Sequence, residues 1–126
     1  MCAIAGILDL AYGESVIQNM LRTMHQRGPD SNGAAMTYGC CLLHSRLAIV
    51  DLEGGQQPMR LLWQGRAYTL VYNGELYNTE ELRAELKKLG HIFNGYSDTE
   101  VVLLAFAQWQ DLCLERMNGI FAFAVW

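Results

Sequence analysis

The sequence predicts an α+β fold built mostly from antiparallel sheet. Apolar runs of strand length outnumber the helical patterns, and they arrive in pairs separated by glycine-bearing turns. Three further segments have apolar residues at helical spacing, each with its own start or stop signal. Residues 2–8 form a short apolar run that reads as a buried strand. Ser15 opens a helix through a capping-box pattern, Ser15-Val16-Ile17-Gln18. Val16, Ile17, Met20, Leu21 and Met24 fall on one face of it, and Gly28-Pro29 ends the run. Residues 34–50 hold two strand candidates around Tyr38-Gly39, and residues 51–58 read as a glycine-containing loop. Residues 60–72 read as a hairpin turning at Gln64-Gly65. A second helix starts at Asn78-Thr79-Glu80-Glu81 and stops at Gly90, a residue type suited to the left-handed position after a helix. Ser97-Asp98-Thr99-Glu100 caps a third helix that is apolar from Val101 to Trp109. Residues 112–117 give a short helical turn, and residues 120–126 close the sequence as an apolar strand. That last strand either inserts between strands already made or belongs to a domain that continues in a longer parent protein.

A length of 126 residues bounds the chain to one domain, and 52% hydrophobic against 17% charged residues excludes a disordered tail or low-complexity linker. Net charge is −4, with the nine Lys and Arg scattered, so no basic stripe marks a nucleic-acid partner. No apolar run approaches the roughly 20 residues of a membrane helix. The opening Met1-Cys2-Ala3-Ile4-Ala5-Gly6 lacks the charged start and cleavage site of a signal peptide. The expectation is a soluble, cytoplasmic protein. Cys40 and Cys41 are adjacent, so on a strand they point to opposite faces, a poor geometry for a shared metal. There is no Cys-x-x-Cys, and His25, His44 and His91 lack ligand spacing; no metal site is expected, and Cys40, Cys41 and Cys113 read as small buried hydrophobes.

Cys2 differs because of where it stands. Once Met1 is removed, this one residue carries both a thiol and a free α-amine. Their ordinary pKa values, about 8.5 and about 7.7–8.0, are matched closely enough for the amine to serve as the general base. On position alone, a structural cysteine opening a strand is the reading that prevails. Four further segments change the balance: Arg27-Gly28-Pro29-Asp30; His44-Ser45-Arg46-Leu47-Ala48-Ile49-Val50-Asp51; Tyr72-Asn73-Gly74-Glu75-Leu76-Tyr77-Asn78; and Ser97-Asp98-Thr99-Glu100. With the opening hexapeptide they resemble, in order and across the whole chain, the glutamine-hydrolysing domain of asparagine synthetases. That domain is a class II glutamine amidotransferase of the N-terminal nucleophile hydrolase type. Ala3 stands where the family most often has glycine, a departure that another small residue accommodates.

The resemblance implies a four-layer αββα sandwich, with residues 1–126 as the N-terminal part of the amidotransferase domain. It implies Cys2 as nucleophile, and the Asn73 side chain with the Gly74 backbone N–H as the oxyanion hole. Arg46 would clamp the α-carboxylate of glutamine, as a guanidinium fork suits. Asp98 would take the α-ammonium. Leu47, Ala48, Ile49, Val50 and Glu75 would line the pocket mainly with backbone groups, while residues 27–29 would form a structural turn beside it. Taken singly, Arg46 also reads as a surface ion pair, Asp98 as a helix N-terminal residue and Gly74 as a turn glycine. No cofactor is implied for this chain, since ATP and magnesium would belong to an absent synthetase domain whose Ser-Gly-Gly-x-Asp-Ser loop has no counterpart here. The expected partners are L-glutamine, that synthetase domain, and a homodimer paired through the last strand. A non-catalytic glutamine-binding or interaction module remains the alternative.

Overall fold

A computed structural model describes residues 2–8, 13–48 and 55–126. The first sheet has the order β1-β3-β2, from β1 (Ala3–Leu8), β2 (Ser31–Thr37) and β3 (Cys40–Arg46). The second has the order β4-β5-β6, from β4 (Met59–Trp63), β5 (Arg66–Leu76) and β6 (Gly119–Val125). Every pairing is antiparallel. Helix α1 (Glu14–Met24) follows β1, and α2 (Thr79–Lys88) and α3 (Asp98–Trp109) lie between β5 and β6, with a 3₁₀ turn at Gln110–Glu115.

The pleat of the strands sorts these elements into layers. Cys41 and Leu43 face α1, where they meet Ile17 and Leu21. Cys40 and Leu42 point the opposite way and pack on Val71 of β5. The other side of β5 presents Tyr68, Leu70, Tyr72 and Leu76 to α2 and α3. The stack is therefore α1, first sheet, second sheet, α2 with α3. This is the αββα sandwich the sequence resemblance implied, and the two neighbouring cysteines fall in different layers.

The turns follow their residues. Gln64 (φ 49°) and Gly65 (φ 77°) occupy the left-handed region, as a two-residue hairpin requires. Gly90 (φ 94°) ends α2 with its N–H on the Lys87 carbonyl. Ser97 accepts from Glu100 N–H at the start of α3.

Other signals gave way. Gly13, not Ser15, caps α1: Val16 N–H bonds the Gly13 carbonyl, and Ser15 lies inside the first turn. The buried stripe is centred on Ile17 and Leu21, and Val16, at its edge, is left 40% exposed. Asn78 occupies the cap position of α2, but its amide is spent on the Arg116 carbonyl and Asn118 N–H, tying the loop before β6 to the end of β5. The last strand does not insert between others. It pairs with β5 from Gly119 to Trp126, and among the described residues its outer edge has no strand partner.

The layering predicts an unequal response to truncation. Leu43→Ala, in the fully buried layer between β3 and α1, is expected to cost about 2–5 kcal/mol, and Leu62→Ala, at a site 74% exposed on β4, within about 0.5 kcal/mol. Urea unfolding midpoints compare the two directly.

Candidate active site

Alternation along the strands brings residues far apart in sequence to one end of the sandwich. Arg46 follows Cys40, Leu42 and His44 on the inner face of β3, and Asn73 follows Val71 on the inner face of β5. Cys2 precedes β1 at the parity of Ile4, which packs in the same inter-sheet layer. Cys2, Arg46, Leu47, Asn73, Gly74, Glu75 and Asp98 all line one cavity of about 500 Å³, a volume within the usual range for small-molecule sites.

The chain around Cys2 is held from three sides. Leu47 N–H lies 3.4 Å from the sulfur, and the sulfur 3.7 Å from the Leu47 carbonyl. Arg27 Nε donates to the Cys2 carbonyl at 3.2 Å. Asp30 N–H bonds the Arg46 carbonyl at 3.0 Å, and the Asp30 carboxylate takes Ala48 N–H at 2.7 Å. A Cβ at Gly28 would come 2.2 Å from the Ser45 carbonyl oxygen, so only glycine lets this turn lie against the end of β3. The Arg27–Asp30 motif is thus a brace for the cavity wall. Ala48 meets this brace through its N–H. Ile49 and Val50 lie outside the described residues.

Asn73-Gly74 is not a turn; it sits within β5. The reciprocal bonds between Thr69 and Trp126, and Tyr77 N–H on the Asn118 carbonyl, show that odd residues of β5 face β6. The even ones face the other side, where β4 pairs only as far as Leu70. Beyond it, Tyr72 N–H goes to Gln57 Oε1 at 2.6 Å and Leu76 N–H to Asp98 Oδ2 at 3.3 Å. Gly74 lies between these two, so its N–H opens toward the cavity and finds no acceptor among the described residues. A Cβ at Gly74 would lie 2.5 Å from the Ile120 carbonyl oxygen, and one at Gly119 2.2 Å from that of Glu75; two glycines let β5 and β6 close up here.

Asp98 is the first residue of α3, where the helix N-terminus favours its charge. Its Oδ2 also accepts from Tyr72 Oη at 2.8 Å. Burial, followed by the facing Asp98 carboxylate, pushes the Tyr72 phenol well above its ordinary range, so it remains a donor. Both bonds fall on Oδ2, and Oδ1 has no donor among the described residues. Among these residues there is also no cluster of three or more His, Cys, Asp or Glu side chains suited to a metal.

The full chain, residues 1–126, matches the glutamine amidotransferase domain family. The chain belongs to that family. As a glutamine amidotransferase domain it is 47% identical over its whole length to the glutamine-hydrolysing asparagine synthetase 3 of Bacillus subtilis, of which it covers 21%. It is 35% identical over its whole length to asparagine synthetase B of Escherichia coli, covering 23% of that protein. The domain thus spans about a fifth of the length of these curated relatives. Among solved structures, glutamine phosphoribosylpyrophosphate amidotransferase from B. subtilis, complexed with ADP and GMP, shares the fold with a TM-score of 0.56 and 23% identity over 68% of this chain and 21% of that one. A structure described as the allosteric regulatory enzyme of purine biosynthesis gives a TM-score of 0.58 and 27% identity over 70% of this chain and 21% of that one.

Sequence reasoning gave no site role to Gln57, Tyr72, Tyr96 or Thr99, all of which line the cavity. Only the phase of the β5 ladder reveals Gln57, and no periodicity in the sequence carries that phase. His44, buried beside this end of the sheet, has its pKa held down to about 4, first by burial and further by Arg46, against a bond to the Tyr72 backbone. A base whose folded-state pKa lies below its unfolded value of about 6.5 contributes stability that is complete above pH 6.5 and lost as pH falls toward 4. His44→Leu is expected to remove on the order of 2–3 kcal/mol of acid sensitivity over this window, read as the difference between variant and parent in unfolding free energy at pH 7 and pH 4.5.

Proposed function

We propose that this domain hydrolyses the side-chain amide of L-glutamine with Cys2 as its nucleophile, and that the ammonia supplies asparagine synthesis from aspartate in a longer parent enzyme. One observation carries the reading: the cavity joins a thiol at residue 2 to the buried guanidinium of Arg46 and the carboxylate of Asp98. A zwitterionic amino acid needs one cation and one anion, and here both flank a nucleophile. Family membership supports the same substrate.

With Met1 removed, the Cys2 α-amine takes the thiol proton and the sulfur attacks the amide carbon. Charge develops on the amide oxygen, where the Asn73 side-chain amide and Gly74 N–H stabilise it; losing one such donor costs about 10²–10³ in rate. The proton passes to the departing nitrogen, ammonia leaves, and a γ-glutamyl thioester remains on Cys2. Water then attacks the thioester, releasing glutamate and restoring the thiol. Arg46 holds the α-carboxylate and Asp98, oriented by Tyr72, the α-ammonium. Residues 1–126 act as the N-terminal part of the amidotransferase domain, and ATP and magnesium serve the synthetase domain rather than this one. A cytoplasmic setting fits the four unpaired cysteines.

Glutamate release assayed beside intact-mass measurement tests the nucleophile. Protein that retains Met1 is expected to be nearly inactive, because its Cys2 nitrogen is an amide, and Cys2→Ala to be inactive after processing. Full activity with Met1 still attached contradicts the α-amine mechanism, and glutamine binding without turnover in processed protein makes this a binding module. Arg46→Lys is expected to raise KM for glutamine more than it lowers kcat, since a point charge replaces a fork. An unchanged KM removes Arg46 from substrate recognition.

A further inference from the structure

Past Leu70, the edge of β5 that faces β4 has lost its strand, and side chains take over the pairing. Gln57 takes the first open position, its Oε1 receiving Tyr72 N–H at 2.6 Å. The next N–H on that edge belongs to Gly74. Gln57 is itself anchored twice. Its Nε2 donates to Thr99 Oγ1 at 3.2 Å on α3. Its backbone lies against β2, where a Cβ on Gly33 would come 2.0 Å from the Gln57 carbonyl oxygen. One residue thus joins β5 and α3 through its side chain and the first sheet through its backbone, two residues from the proposed oxyanion donor, and it lines the same cavity.

We infer that Gln57 is a positioning residue for amide hydrolysis: by holding Tyr72 N–H in the place of a missing strand, it sets the tilt of β5 that points Gly74 N–H at the developing oxyanion. The inference rests on the glutaminase reading above. Gln57 does not touch the reacting atoms in this role. It acts on the transition state through the direction of a backbone donor, and so on kcat more than on glutamine binding. Displacing such a group by about 1 Å can cost about 10² in rate.

The test compares Gln57→Ala, Gln57→Glu and Thr99→Val in the full chain after Met1 removal. Gln57→Ala is expected to lower kcat for glutamine hydrolysis about 10- to 100-fold while KM moves less than about threefold. Gln57→Glu keeps an oxygen toward Tyr72 N–H and is expected to recover much of that loss, a rescue that a filler of space would not show. Thr99→Val frees the far end of the amide and is expected to lower kcat in the same sense by a smaller factor. A Gln57→Ala kcat within twofold of the parent, equal losses in the Ala and Glu variants, or a KM effect without a kcat effect each overturns the inference. Where Gln57→Ala does not fold, Thr99→Val decides, and an unchanged kcat overturns it. Glutamine hydrolysis that survives Cys2→Ala instead overturns the glutaminase reading, and the positioning role with it. Cys2-dependent hydrolysis indifferent to Gln57 overturns the positioning role alone.

Discussion

Both faces of β5 are buried, Val71 against Cys40 and Leu42 of the opposite sheet and Leu70, Tyr72 and Leu76 against α2 and α3, so this strand spaces all the layers around it. Its edges are equally constrained, because each N–H and C=O taken from water needs a partner. β6 satisfies one edge from Thr69 to Leu76, while β4 satisfies the other only to Leu70. The remaining stretch is finished by Gln57 and Asp98, groups that can leave an intended gap where a neighbouring strand could not. Site and core are therefore set by one strand: Tyr72 and Leu76 pack in the core and line the cavity as well, with Asn73 and Gly74 between them.

Such a strand is hard to read in a sequence. Two-sided burial erases the polar alternation that marks a surface strand, and Asn73-Gly74 carries the composition of a hairpin turn. What identifies the pair as mid-strand is the closeness of β6, a contact with residues more than forty positions later. Local signals were legible where local geometry decides. Gly65 and Gly90 stand at left-handed positions, and Ser97 caps its helix. Ser15 misled because a serine two residues into a helix looks like a cap when the preceding glycine can do the same work. The residues of the proposed site were legible for a different reason. Cys2, Arg46, Asn73 and Asp98 each lie within a recognisable motif, whereas Gln57 meets β5 through a backbone N–H that no spacing encodes.

The order of β1, β3 and β2 in the first sheet also sets a sequence of events. The strand that follows Cys2 pairs with Cys40–Arg46 and with no strand made earlier, so during synthesis it has nothing to join until that segment is available. Until then the start of the chain is unpaired, and the Leu47 and Arg27 contacts that later surround Cys2 do not exist. An enzyme acting on the first residues meets an open peptide before β1 pairs and a braced one afterwards.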